Sequence, residues 1–170
     1  MDETEFWEII DRARGESGGE PQEQADLVVD RLVGLDPDSV LDFARHFETR
    51  VNRAHHWDLW AAASVLLGGA GEEAFDAFRC WLVGQGRHVF EGALHDADDL
   101  ADLLDGFGEA DGDGEDLGCA ADEAYEQLTG AGLPELGITP PAEPEGDPLE
   151  LDDDAAVRRR CPRLAERYDW

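Results

Sequence analysis

The segment HHWDLWAAASVLLGGAGEEAFDAFRCWLVGQGR, residues 55–87, gathers most of the side chains in this chain that could do chemistry. It holds Trp57, Trp60 and Trp81, the carboxylates Asp58, Glu72 and Glu73, the guanidinium groups of Arg79 and Arg87, and the amide of Gln85. On one surface these would make a binding site. The arginines would fork onto a carboxylate or phosphate, and the indoles would wall the site with their N–H groups seeking acceptors. A turn at Gly84 and Gly86 would let backbone amides approach a ligand. The same residues carry a second reading. Aromatics at helical spacing are most often core, and then Asp58 caps a helix while the arginines pair with Asp58, Glu72 or Glu73. Against pure packing stands the close grouping of Arg, Gln and Arg.

Other chemistries are weaker. His88, Glu91 and His95 fall at i, i+3 and i+7, with Asp98 or Asp99 beyond, and His55-His56 stand beside Asp58. Neither set has the HExxH pattern, and neighbouring histidines diverge on a helix, so solvated or capping histidines are expected. The loop DGDGEDLGCAAD resembles a calcium loop superficially. Counted from Asp111 it puts Asp116 where glycine is needed and Asp122 where glutamate is needed; counted from Glu109 it ends on Ala120. Cys80 would need exposure and a histidine to act as a nucleophile, and its place between Arg79 and Trp81 predicts packing. There is no GxSxG, Walker loop or GxGxxG. No catalytic residue, metal or cofactor is nominated.

The elements that must position these residues read as helices. Asp2 or Thr4 can cap a first helix carrying Phe6, Ile9, Ile10 and Ala13, stopped by Gly15. Pro21 opens a second with Ala25, Val28 and Leu32. Asp36 and Pro37 start a third, with Val40, Phe43, Ala44, Phe47, Val51 and Ala54 three or four apart. A fourth spans Trp57 to Leu67 and ends at Gly68-Gly69. A fifth opens at Glu72-Glu73 with Ala74, Phe75, Phe78, Trp81 and Leu82 inward, and Val89, Phe90, Ala93 and Leu94 continue as a sixth. ADDLADLL and CAADEAYEQLTG give two short helices. No stretch alternates β-branched with polar residues. The fold class is all-α, an irregular bundle of about seven to nine helices. Residues 1–136 form its helical domain, 137–157 an acidic Pro-rich linker, and 158–170 a C-terminal helix that docks back through Leu164, Tyr168 and Trp170.

Charge sharpens the reading. The 170 residues hold 42 acidic and 13 basic side chains, a net −29. Every basic residue is arginine, and none falls between Arg87 and Arg158. Such a field repels nucleic acid and acidic membranes and leaves a basic protein as the expected partner. It also gives Arg158-Arg159-Arg160 a reason to return to the body. No apolar run approaches the ~20 residues that cross a bilayer, and the start MDETEFWEII lacks a signal's positive charge, so a cytoplasmic protein is expected. Cys80, Cys119 and Cys161 are too scattered for a disulfide framework.

EFWEIID, WDLWAAA, GGAGEEAFDAFRCWLVGQGRHVFEGAL, AYEQLTG and the closing CPRLAERY together resemble the bacterial domain-of-unknown-function family numbered forty-two forty, common in Streptomyces and other actinobacteria. The likeness covers most of residues 3–131 and the last ten. It implies a small, mainly helical cytosolic protein and no assigned activity. Members usually carry Asp-Asp where this chain has Glu72-Glu73, and a shorter insert around 106–116.

The leading functional expectation is a non-enzymatic protein-interaction or regulatory module centred on Trp57–Trp60 and Arg79–Arg87. One alternative is a small-ligand binder or hydrolase-like enzyme using Asp58, Glu72 and Glu73 with Arg79 and Arg87, which requires those five to line a closed pocket of ~300 Å³ or more. A second is an acidic nucleic-acid mimic built on residues 96–154.

Overall fold

Helix starts follow local capping chemistry. The Asp2 carboxylate accepts from the Glu5 amide while Glu5 accepts from the Asp2 amide, a capping box that opens α1 (Glu3–Glu16). Glu20 accepts from the Gln22 and Glu23 amides, with Pro21 first in α2 (Pro21–Val33). Asp36 accepts from Ser39, with Pro37 first in α3 (Pro37–Arg53). The Ser39 amide and hydroxyl bonds hold the Asp36 carboxyl below the usual range. The computed structural model describes residues 1–170 as ten α-helices, one 3-10 turn and no β-strand. The remaining helices are α4 (Trp57–Leu67), α5 (Glu72–Gly84), α6 (Arg87–His95), α7 (Leu100–Leu103), α8 (Glu115–Thr129), α9 (Asp154–Arg160) and α10 (Pro162–Arg167), with the 3-10 turn at Ala97–Asp99. None is long and apolar enough to cross a membrane.

The helices pack as an irregular all-α bundle. α2 lies against α1 and α8, and α8 also meets α3 and α5. Thus the centre of the acidic interval is a packing element, with Leu117, Ala120, Ala121 and Ala124 buried and its carboxylates outward. Phe6, Phe43, Phe75, Phe78 and Phe90 are fully buried, and the C-terminal segment adds Leu164 to the same core.

Several boundaries differ from expectation. α1 runs through Gly15, because the left-handed turn falls at Gly18 and Gly19, φ 63° and 85°. Ala74 is exposed. α8 begins at Glu115, a turn before Cys119. The C-terminal end is two helices broken at Cys161-Pro162, since proline cannot continue α9 but suits the first position of α10. α9 starts at Asp154, inside the stretch expected to be linker.

Before α9 the chain straps the corner between α3 and α4. The Trp57 amide donates to the Glu145 carbonyl and the Glu145 amide to the His55 carbonyl, each at 2.9 Å. Gly146 follows with φ 88°, and a Cβ there would collide with the His56 ring. The tail then docks. The buried Asp98 carboxylate accepts from the Leu164 amide at 2.9 Å and the Arg163 amide at 3.2 Å, supplying the cap α10 lacks. Arg163 pairs with Asp99 at 2.8 Å and with Asp102. Arg167 donates to the Ala101 carbonyl, the Leu104 carbonyl at 2.7 Å and the Asp105 carbonyl at 3.0 Å, closing the end of α7. Of the Arg158–Arg160 cluster only Arg160 reaches a carboxylate, Asp58 at 2.7 Å; Arg158 lies over the Trp170 ring and Arg159 is exposed.

Candidate functional site

Helical spacing brings part of the nominated segment together. Trp57 and Trp60 sit one turn apart on α4, and Phe75 and Arg79 one turn apart on α5. The three rings stack: Trp57 on Trp60 at 5.5 Å and 14°, Trp60 on Phe75 at 4.6 Å and 16°. Arg79 covers Phe75, with its guanidinium carbon 5.1 Å from the ring centroid. Yet the polar atoms of this stack point inward. The Trp60 indole N–H donates to the Ala70 carbonyl at 2.8 Å. Arg79, buried, donates to the Val51 carbonyl at 3.0 Å and pairs with Asp76 one turn earlier. His55 closes the other side of Phe75; burial first, then the Arg79 charge, lowers its pKa. The two indoles and the His55 ring are half-exposed, and Asp76 is exposed.

The other nominated residues go elsewhere, which corrects the expectation of one shared surface. Trp81 is 3 % exposed, packed between Phe78 and Phe107 with ring centroids 5.4 Å away, and its indole N–H has no partner. Gln85 accepts from Arg14 at 3.4 Å and reaches back to the Trp81 carbonyl. Arg87 is exposed and leans toward Glu3 at 3.6 Å. Asp58 does not cap α4: the His56 ring nitrogen does, at 3.1 Å from the Asp58 amide, and the Asp58 side chain is held by Arg160. Glu72 and Glu73 are exposed in the first turn of α5, where they favour the helix dipole. The glycines admit protein, not ligand. Gln24 donates to the Gly84 carbonyl at 2.8 Å, and a Cβ on Gly84 would meet Leu117 at 2.8 Å. Gly86 has φ 95°, and a Cβ there would strike the Asp11 carboxylate. Burial raises the Asp11 pKa, against a smaller opposing pull from Arg14. Most of the Phe78–Gly86 string therefore has internal work, holding α5 against α1, α2 and α8 and the start of α6 against α1.

One family's sequence profile spans residues 1–127, which include this string. The chain belongs to the DUF4240 family. Its description is a protein of unknown function. No curated protein matches the chain, and no solved structure does. The DUF4240 match takes in α1–α7 and most of α8; the strap and the docking tail follow it.

Within the DUF4240 region three of the five residues of the enzyme alternative are engaged by three different partners. Asp58 is tied to Arg160, Arg79 to Asp76 and Arg87 to Glu3, while neither the groove between α1 and α2 nor the hollow beside α9 includes any of the five. Glu91 is taken by Arg53 through bonds of 3.1 and 3.3 Å, leaving His88 and His95 exposed without it. No three His, Cys, Asp or Glu side chains converge as metal ligands. In the glycine-rich loop, Asp111 accepts from the Gly108 amide and Asp113 from the Glu115 amide, and the Gly114 amide donates to the Ala77 carbonyl at 2.9 Å. Burial pushes the thiols of Cys80 and Cys161 up to about 12, so neither is a nucleophile near neutrality.

Arg50 is one of the buried polar residues that sequence reasoning missed. It is 6 % exposed, lies over the Phe6 and Trp7 rings, and reaches Glu3 at 3.0 Å and the His46 carbonyl at 3.0 Å. Its register gave the signal, for it continues the Phe43–Phe47 stripe of α3. Burial works against ionisation of Glu3, but the charges of Arg50 and Arg87 outweigh it and lower the Glu3 pKa.

Proposed function

We propose that this DUF4240 protein is a non-enzymatic, cytoplasmic interaction module that draws a basic protein partner by its negative field. The observation that carries the reading is the net charge of −29, much of it displayed on helix surfaces. α2 exposes Glu23, Asp26 and Asp30, and α8, packed beside it, exposes Asp116, Asp122, Glu123 and Glu126. The nominated arginines and carboxylates support it from the other side, because they are spent within the protein or stand apart. Of the nominated surface, the half-exposed Trp57–Trp60 pair and the exposed Glu72, Glu73 and Arg87 remain able to meet a partner. Capture from a lysate of the source cells at about 0.05 M and 0.5 M salt tests the reading. A discrete set of basic proteins should be retained at low salt and released at high salt. Retention of the same set by immobilised polyglutamate would overturn it, because then net charge alone would select.

A further inference from the structure

An open groove of about 780 Å³ runs between α1 and α2 and reaches the start of α3. Its floor is apolar: Ile9 and Ala13 come from α1, Leu27 from α2 and Leu35 from the turn after it. Leu27 and Leu35 are half-buried, so no element of this chain completes their cover. The rim is mostly acidic. Arg12 is neutralised by Glu16 at 2.9 Å, which leaves Glu5, Glu8 and Asp30 facing the single free cation Arg31.

We propose that this groove takes a basic amphipathic helix of a partner protein. The inference rests on the interaction-module reading above and names where that module binds and what it binds. Apolar side chains at i, i+3 or i+4 and i+7 of the incoming helix lie on Ile9, Leu27 and Leu35, as in other helix-in-groove complexes. Its Lys or Arg residues meet Glu5, Glu8 and Asp30. The 14 residues of α1 give a seat about 21 Å long, enough for three such anchors. Charge selects the occupant. A second copy of this chain would bring −29 against −29, and an anionic membrane would be repelled in the same way. A basic helix gains attraction at long range and apolar burial at contact.

The test uses the full chain and a synthetic Leu/Lys helical peptide as long as α1, with its leucines on one face. Backbone amide shifts in NMR should change along α1 and α2, and affinity should fall with salt. Reversing two exposed rim charges together, Glu8→Arg with Asp30→Arg, should weaken binding about tenfold or more while the melting temperature holds. The matched control, Glu123→Arg with Glu126→Arg on α8, should leave most of the affinity. If the α8 pair costs as much as the rim pair, or a scrambled peptide without the leucine face binds equally well, the groove is not the site. Acidic attraction as such would survive that result. Absence of any salt-dependent binding would overturn both the groove and the module reading.

Discussion

Arg79 in the wall of α5 and Arg163 in the docking tail carry the same guanidinium to different ends. The Arg79 side chain is 9 % exposed and bonds a backbone carbonyl, a neighbouring carboxylate and the face of Phe75. The Arg163 side chain is 46 % exposed and meets two surface carboxylates. Buried arginine of the first kind is a packing element whose head must be satisfied by the interior. Exposed arginine of the second kind contributes little per pair and is screened by salt. Arg79 thus fixes its part of the body by contacts that solvent cannot loosen. The tail adds ion pairs that solvent can loosen to its own buried anchors, Val157, Cys161, Leu164 and Ala165, and to the Asp98 cap.

Removing the inner arginine should cost most. Arg79→Ala gives up a charged hydrogen bond and a desolvated cation–π contact, together about 3 kcal/mol, read as a fall in urea midpoint that persists at high salt. An unchanged midpoint would place Arg79 with the surface arginines and erase the contrast. Asp98→Ala comes next, at about 2 kcal/mol, because two amides of α10 lose their acceptor. It should also make the buried Cys161 thiol reactive toward a disulfide reagent while Cys80 stays protected. Equal protection of both thiols in that variant would mean the cap is dispensable.

Salt should separate the two regions in the unmodified protein. Going from about 0.01 M to 1 M shortens the screening length from about 30 to 3 Å. Cys161 labelling should quicken severalfold as the Arg163 pairs weaken. Cys80 labelling should hold or slow, since salt also relieves the self-repulsion of the body. Parallel acceleration would show a single cooperative unit. The smallest effect is on pH. The His55 pKa is lowered, so its contribution to stability is full above the unfolded value of about 6.5 and is lost as pH falls through the folded one. Titration of the ring by NMR should give a midpoint below that of free histidine, and Arg79→Ala should raise it. A midpoint at the free value would remove Arg79 and burial from the surroundings of His55.

The helices were legible because their starts and stripes are written locally: Asp2 with Glu5, Asp36 with Pro37, and the Val40–Phe47 run each need only near neighbours. The nominated site was less legible, because the fate of a polar residue depends on what distant chain brings to it. Gln24, Asp11 and Leu117 fill the space at Gly84 and Gly86, and none adjoins them in sequence. The same limit hid Arg163 and Arg167, whose partners at Asp98–Asp105 lie some sixty residues earlier. Composition misled in one place. A glycine- and aspartate-rich loop reads as solvated, but Gly114 lies so close to the Trp81 backbone that no side chain fits, and its amide is bonded to α5.

Asp98 sets a timetable for the newborn chain. Its carboxylate is buried with only the Arg163 and Leu164 amides from the tail to receive it. During synthesis the earlier helices can assemble as they emerge. That pocket must stay hydrated until Leu164 has cleared the exit tunnel, so docking of this segment waits on residues translated some sixty-five positions after Asp98.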